Sequence, residues 1–343
     1  MARLFKRKEV ETASMDAAEN AIANKEVEGL SQRQIVIKRF IHHRAAMIAL
    51  FSLILITVIV NTALEFKIGP WKIHGWWKYK VTDIPELRYK ECPGQVIGCP
   101  TLKLFPPSLG EHPFGQDDIG RDYLALVMRG AQRSLMVAFV IGVLGGVIGT
   151  IVGAISGFYR GVVDSVLMRL VDFVITVPAI IIGSVIGYRY GNLGAGFLAI
   201  YLGLFSWTGL SRLVRGEFLK LREMEFVDAA RVAGASNRRI IFKHILPNAV
   251  GIIIVSVTLL MSSAILLETA LSYIGFGVVA PDVSLGLLIS TYQDSFTSRP
   301  FLFWWPGFFI ISIALSINFI GDGLRDAFDP RQRRRVSRKE RAR

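Results

Sequence analysis

The sequence predicts an all-α integral membrane protein of six transmembrane helices, with a long loop after the first. Three observations carry that reading. Apolar runs close to twenty residues long recur along the chain, the length a helix needs to cross a hydrocarbon core. The runs lack the period-two alternation of strands. The basic residues collect beside particular runs, as they do on the cytoplasmic flanks of membrane helices. A chain that is 52% hydrophobic can build such a bundle, and its formal charge of +13 has to find a place outside it. Much of the excess sits in Lys6-Arg7-Lys8, Arg333-Arg334-Arg335 and Arg338-Lys339. Basic tails also suit nucleic acid; next to membrane spans they mark the cytoplasmic side and meet anionic lipid.

Residues 1–44 read as a soluble cytoplasmic segment in which 32–41 forms a basic amphipathic helix, with Ile35, Ile37, Phe40 and Ile41 as its apolar positions. The first span comes next, at 45–64, and leads outward, because Lys38, Arg39 and Arg44 precede it. No cleavable signal peptide is visible, the first apolar run coming too late for one. Residues 65–133 form an extracytoplasmic loop with Trp71, Trp76 and Trp77, which suit a folded piece resting at the interface. It also holds both cysteines, Cys92 and Cys99. His74 and His112 are too far from them in sequence to argue for a metal site; in an oxidising compartment the two thiols would close a small local loop as a disulfide.

The core of five further spans occupies 134–320. In the second span Gly142, Gly145, Gly146, Gly149, Gly153 and Gly157 fall at spacings that line a groove for another helix. Tyr159-Arg160-Gly161 makes a short inner turn, and Pro178 should kink the third span. Arg169 and Asp172 are three residues apart, which suits an ion pair on one helix face. The fourth span runs from Leu193 to about Leu213, the fifth from Ala249 to about Leu271, and the sixth ends near Ile320. The segment between the last two contains a single basic residue, Arg299, consistent with the outer side. A basic cytoplasmic tail, 321–343, closes the chain.

Between the fourth and fifth spans lies a polar cytoplasmic loop, 214–248, on which the chain is organised. Its stretch from Glu225 to Asn248 reads as a short helix, a break at Gly234, a second short helix and a stop at Pro247. Ala229, Ala230, Ala233 and Ala235 give the first helix little side-chain bulk, so another protein could approach its backbone closely. Gly234 can adopt the left-handed conformation needed to reverse the chain, and Ser236 or Asn237 can cap the second helix.

An acid with two alanines, then glycine, then leucine-proline resembles the ATPase-docking motif of ABC importer permeases. His112-Pro113-Phe114-Gly115, Asp118-Ile119-Gly120-Arg121-Asp122, Asp164 to Arg169 with Asp172, Leu271 to Gly277, and Gly321 to Asp326 with Asp329-Pro330 are similar to motifs of one branch. That branch is the second permease of the dipeptide/oligopeptide/nickel family. Asp228 stands where the family usually has glutamate, His244 where the wider superfamily often has an apolar residue, and Leu285 where relatives often carry tryptophan. Residues 65–109 match no pattern of the family.

The resemblance implies the type I ABC importer transmembrane fold in a bacterial or archaeal inner membrane, with both termini cytoplasmic. It implies two cytoplasmic ATPase subunits, a second homologous permease and an extracytoplasmic solute-binding protein. It assigns docking to Asp228, Ala229, Ala230, Ala233, Gly234, Ala235 and Ser236. ATP and magnesium would be bound by the ATPase partners, and this chain, with no phosphate loop of its own, would bind no cofactor or metal and catalyse nothing. Di- or oligopeptides are the implied cargo; nickel chelates or oligosaccharides use the same framework. A path between the two permeases would be lined mainly by the third to sixth spans. Ser256, Thr258, Ser262 and Ser263 are candidates for it, or for hydrogen bonds between neighbouring helices. A gradient-driven transporter would show a longer inverted repeat and ionisable residues at mid-membrane, and neither is evident.

Overall fold

The computed structural model describes residues 32–68, 71–87, 98–102 and 108–328, and within them every long apolar run is helical. Cys92, the terminal basic runs and Asp329-Pro330 lie outside the described residues. Helix α1 (Gln32–His42) leads into α2 (Arg44–Ala63), capped by His43, whose Nδ1 accepts from the amide of Ala46 at 3.1 Å. Next comes an antiparallel hairpin, β1 (Phe66–Ile68) and β2 (Trp71–Ile73). Helix α3 (Tyr123–Tyr159) is the central column. After it come α4 (Gly161–Thr176), α5 (Ala179–Tyr190), α6 (Ala195–Phe205), α7 (Thr208–Arg222) and the short α8 (Glu225–Val232). Helices α9 (Leu246–Tyr273), α10 (Leu285–Tyr292) and α11 (Phe301–Phe328) complete the bundle. Among the described residues five continuous stretches are long and apolar enough to span a bilayer, and the α4–α5 pair makes a sixth if it is one bent span. The protein is an all-helical membrane protein.

Several boundaries differ from the sequence expectation, each for a physical reason. The second span begins at Tyr123 and not after Arg133, because Asp122 caps the helix by accepting from the amide of Ala125 at 2.8 Å. Arg129, Gln132 and Arg133 read as loop residues, yet they are accommodated by bonds to Gln132, Asn61 and Asp282. Pro178 does more than kink the third span: α4 and α5 meet at 69°. Val177 before it is extended, the conformation a proline imposes on the residue preceding it. The fourth span continues through α7 to Arg222, since Val214, Phe218 and Leu221 keep one face of it buried. The sixth continues to Phe328.

Pro247 does not stop the second short helix of the polar loop. A helical turn at Asn237–Arg239 passes through a π-helical stretch, Ile240–Ile245, and runs directly into α9. Proline is tolerated there because it occupies the first turn of α9. The side-chain amide of Asn248 donates to the carbonyl of His244 at 2.6 Å, supplying a local donor beside the proline. Arg169 and Asp172 are not the pair that forms; Asp172 instead accepts from Arg212 of α7 at 2.5 Å.

The glycines of α3 line two grooves. Gly149, Gly153 and Gly157 face the fourth span, Gly142 and Gly146 face Met261 and Val257 of α9, and Gly145 lies between the two, against Leu260 of α9. A Cβ at Gly153 would lie 2.5 Å from the carbonyl oxygen of Ser211 and 2.7 Å from Val214. Gly153→Leu should therefore separate α3 from α7 and destabilise the bundle by about 1–3 kcal/mol. Thermal unfolding in detergent checks this, and an unchanged midpoint would mean that the groove has room to spare.

Buried clusters sit at both ends of the column and between them: Tyr123, Leu285 and Leu302 at one end, Ile141 and Leu198 in the middle, Phe218 and Ile240 at the other. The last of these lies at the end rich in arginine, the basic end of the bundle. There α1 packs on the end of α11, where Gly323 leaves no room for a Cβ beside Ala46 and His43 pairs with Asp326 at 3.4 Å.

Candidate functional site

Helix α8 is held by the basic-end core and displays the rest of itself. Glu225 and Asp228 in its first turn and Arg231 in its last complement the helix dipole. Val227 and Ala230, three residues apart, turn inward onto Ile240, Ile241 and Ile245. The C-terminus closes in a Schellman turn: the amide of Ala235 donates to the carbonyl of Ala230 at 3.0 Å, and that of Gly234 to Arg231 at 2.9 Å. Gly234 has φ of +76°, as the sequence requires of it, and no atom lies within 4 Å of where its Cβ would be. Ser236 then caps the next turn, its hydroxyl accepting from the amide of Arg239 at 3.4 Å.

The small residues of this segment divide into two sets. Ala229, Ala233, Gly234, Ser236 and Asp228 are exposed or half-exposed, whereas Ala230 is buried and Ala235 packs on the core. Ala230 and Ala235 thus belong to the seat of the helix and not to its open face, a correction imposed by helix phase. Beside the open face stand Val232, 91% exposed, with Phe226 and Phe242. The sequence pattern does not single out these three; the usable signal is that Val232 falls off the Val227–Ala230 stripe. Asp228 pairs with Arg231 at 2.9 Å, an exposed contact worth little to stability, so its carboxylate is available to a partner.

Motion of α8 would reach the bundle through both of its neighbours. Leu221 and Phe218 of α7 share its core with Ala249 of α9. At the same end Arg215 of α7 donates two hydrogen bonds of 2.6 Å to Asp164 of α4, and Arg160 pairs with Glu223 at 2.6 Å. The guanidinium of Arg222 also donates to the carbonyl of Phe158. The third and fourth spans are therefore clamped together beside α8.

The candidate path residues on α9 also divide. Ser262 is buried and its hydroxyl donates to the carbonyl of Ala314 on α11 at 3.1 Å, so it joins two helices and lines no open surface. Thr258 is half-buried against Gly321 and bonds back to Val255 at 2.7 Å. Ser256 is half-buried, and Ser263 is exposed.

At the opposite end, the motif residues 112–122 build a buried polar knot. Asp122 accepts from the ring of His112 at 2.7 Å and from the indole of Trp77 at 2.9 Å. Asp117 accepts from Arg121 at 2.6 Å and from the phenol of Tyr292 at 3.2 Å, and Asp118 pairs with Arg299. Burial pushes the Tyr292 phenol far above its ordinary value, keeping it a donor. Leu285 is fully buried in this core. Glu268, near the same end of α9, is also fully buried and accepts from Ser134 at 2.9 Å and Ser272 at 2.8 Å. It is an ionisable residue within a span that the sequence pattern does not single out. Cys99 is disulfide-bonded; Cys92, its expected partner, lies outside the described residues. Among the described residues no cluster of His, Cys, Asp or Glu could hold a metal ion.

Residues 149–334 match the family described as binding-protein-dependent transport system inner membrane component. The chain is 36% identical to the oligopeptide transport system permease protein OppC of Mycobacterium tuberculosis over 304 residues, covering 88% of this chain and 96% of that one. It is 38% identical to OppC of Escherichia coli K12 over 319 residues, covering 93% and 97% respectively. The inward-facing MetNI methionine ABC transporter contains a chain that aligns with 60% of this one and 96% of its own length, with TM-score 0.50 and 20% identity, a likeness of fold.

Proposed function

Because the chain belongs to the family of binding-protein-dependent transport system inner membrane components, we propose that it is the oligopeptide permease subunit of an ATP-driven importer, docking its ATPase through α8. As a non-catalytic membrane subunit it forms half of a path and receives its driving force from outside. The observation that carries the reading is the open face of α8, where Ala229, Ala233 and Gly234 admit a partner's backbone and Val232 projects as an apolar peg. Two ATPases in the cytoplasm would each take one such helix, from this chain and from a second, homologous permease. ATP-driven closure would then pull the two α8 helices together. Because α8 shares its core with α7 and α9, that displacement would rock the fourth and fifth spans and open the path on the other side. Peptide would be delivered by an extracytoplasmic binding protein to the end that carries the His112–Asp122 knot. The arginines around α8 support a cytoplasmic position for the α8 end of the bundle, and with it for both termini.

Purifying the chain gently from its native membrane tests the proposal: a second permease and ATPase subunits should accompany it, and recovery of the chain alone would overturn it. Val232→Glu supplies a sharper check. The side chain touches little in this chain, so the bundle should assemble unchanged, while loss of the apolar peg weakens ATPase association about tenfold or more. Undiminished ATPase recovery with this variant would remove α8 from the interface.

A further inference from the structure

A cavity of about 410 Å³ opens where the far end of α2 meets α3 and the segment after β2. It is a built site. The amides of Trp76 and Trp77 donate to the carbonyls of Thr62 and Ala63, which caps α2 and fixes the chain across its end. Gly75 permits that approach, since a Cβ there would lie 2.1 Å from the carbonyl oxygen of Ala63. One wall is Trp77, bonded to buried Asp122, and next to it is Tyr79, stacked on His112 at 4.7 Å between ring centres.

The lining is electrically unbalanced. Lys78, Lys80 and Arg129 face one carboxylate, Glu65. Lys80 pairs with Glu65 at 3.0 Å, and Lys78 pairs with Glu111 at 3.5 Å. Half-buried Arg129 has only the neutral amide of Gln132, at 2.8 Å, and pairs with no carboxylate among the described residues; Arg133 beside it is already engaged by Asp282. A half-buried guanidinium without a paired carboxylate, in a cavity whose described lining sets three cations against the single carboxylate of Glu65, suits an oxyanion. The surroundings argue for a lipid source. The cavity lies where the ends of α2 and α3 meet, beside exposed Trp76, and the last turns of α2 carry exposed Val58 and Ile59; at span ends aromatic and cationic side chains meet lipid headgroups.

We propose that this cavity binds an oxyanion, the phosphodiester of a phospholipid headgroup, with Arg129 as the anchoring cation and Lys80 at the rim. The test uses the full chain with its co-purifying subunits, delipidated in detergent. Short-chain phosphatidylglycerol and, separately, inorganic phosphate and acetate are titrated and monitored by native mass spectrometry and thermal unfolding. The expected result is one retained lipid per copy of this chain and a raised unfolding midpoint. Affinity should fall about tenfold or more in Arg129→Gln and less in Lys80→Gln. Phosphate or acetate binding as tightly as the lipid would overturn the lipid source. Binding that survives intact in both variants would overturn the site. If Arg129→Gln does not fold, exposed Lys80→Gln decides the matter: retention of wild-type affinity there overturns the proposal.

Discussion

Gly234→Val is expected to reduce uptake about tenfold or more while leaving the amount of chain in the membrane unchanged. At φ of +76° a β-branched residue is strained by about 1–3 kcal/mol, and nothing else in the turn can take up the distortion. The two Schellman bonds from Gly234 and Ala235 would be the first to break, and with them the angle between α8 and the turn capped by Ser236. The membrane core is spared because a side chain at this position enters open space. Asparagine tolerates the left-handed region, so Gly234→Asn should recover most of the uptake. Measuring uptake together with membrane abundance separates the outcomes. Normal uptake in Gly234→Val would show that the shape of this turn is irrelevant to coupling.

Asp122→Ala is expected to be the most destabilising of these substitutions, by about 3–5 kcal/mol. Its carboxylate is fully buried and serves His112, Trp77 and the first turn of α3 at once. Removing it strands a buried imidazole and an indole donor and takes away a helix cap, itself worth about 1 kcal/mol. Asp122→Asn keeps acceptors for Trp77 and the cap and should lose less. Thermal unfolding of the purified protein distinguishes the pair. Equal midpoints for wild type and Asp122→Ala would mean that the knot around 112–122 contributes nothing to the fold.

Much of this was legible before any tertiary information. Gly149, Gly153 and Gly157 announce a groove by spacing alone, and it is occupied by the fourth span. Gly234 and Ser236 state a turn and a cap because both are local devices, decided within a few residues. Pro178 marks a break for the same reason. Pro247 misleads, because its effect depends on whether it lies inside a helix or at the start of one, and the π-helical turn before it is not visible in composition. Asp172 finds Arg212 forty positions away instead of Arg169 on its own helix, since the choice between partners is made by how α4 lies on α7.

Local pattern was enough for the all-helical membrane class, for the long apolar helices, for the basic end and for the short helix between the fourth and fifth apolar runs. Each of these rests on quantities that accumulate along the chain: apolar length against bilayer thickness, charge against the side of the membrane, a glycine against a turn. Packing alone sets Ala230 facing in and Val232 facing out, bonds Ser262 to α11, encloses Glu268 with serines, and puts Arg129 in a cavity whose described lining has three cations and one carboxylate. Those facts depend on the rotation of each helix about its axis. That rotation is fixed by packing against residues far away in sequence, so no local pattern contains it.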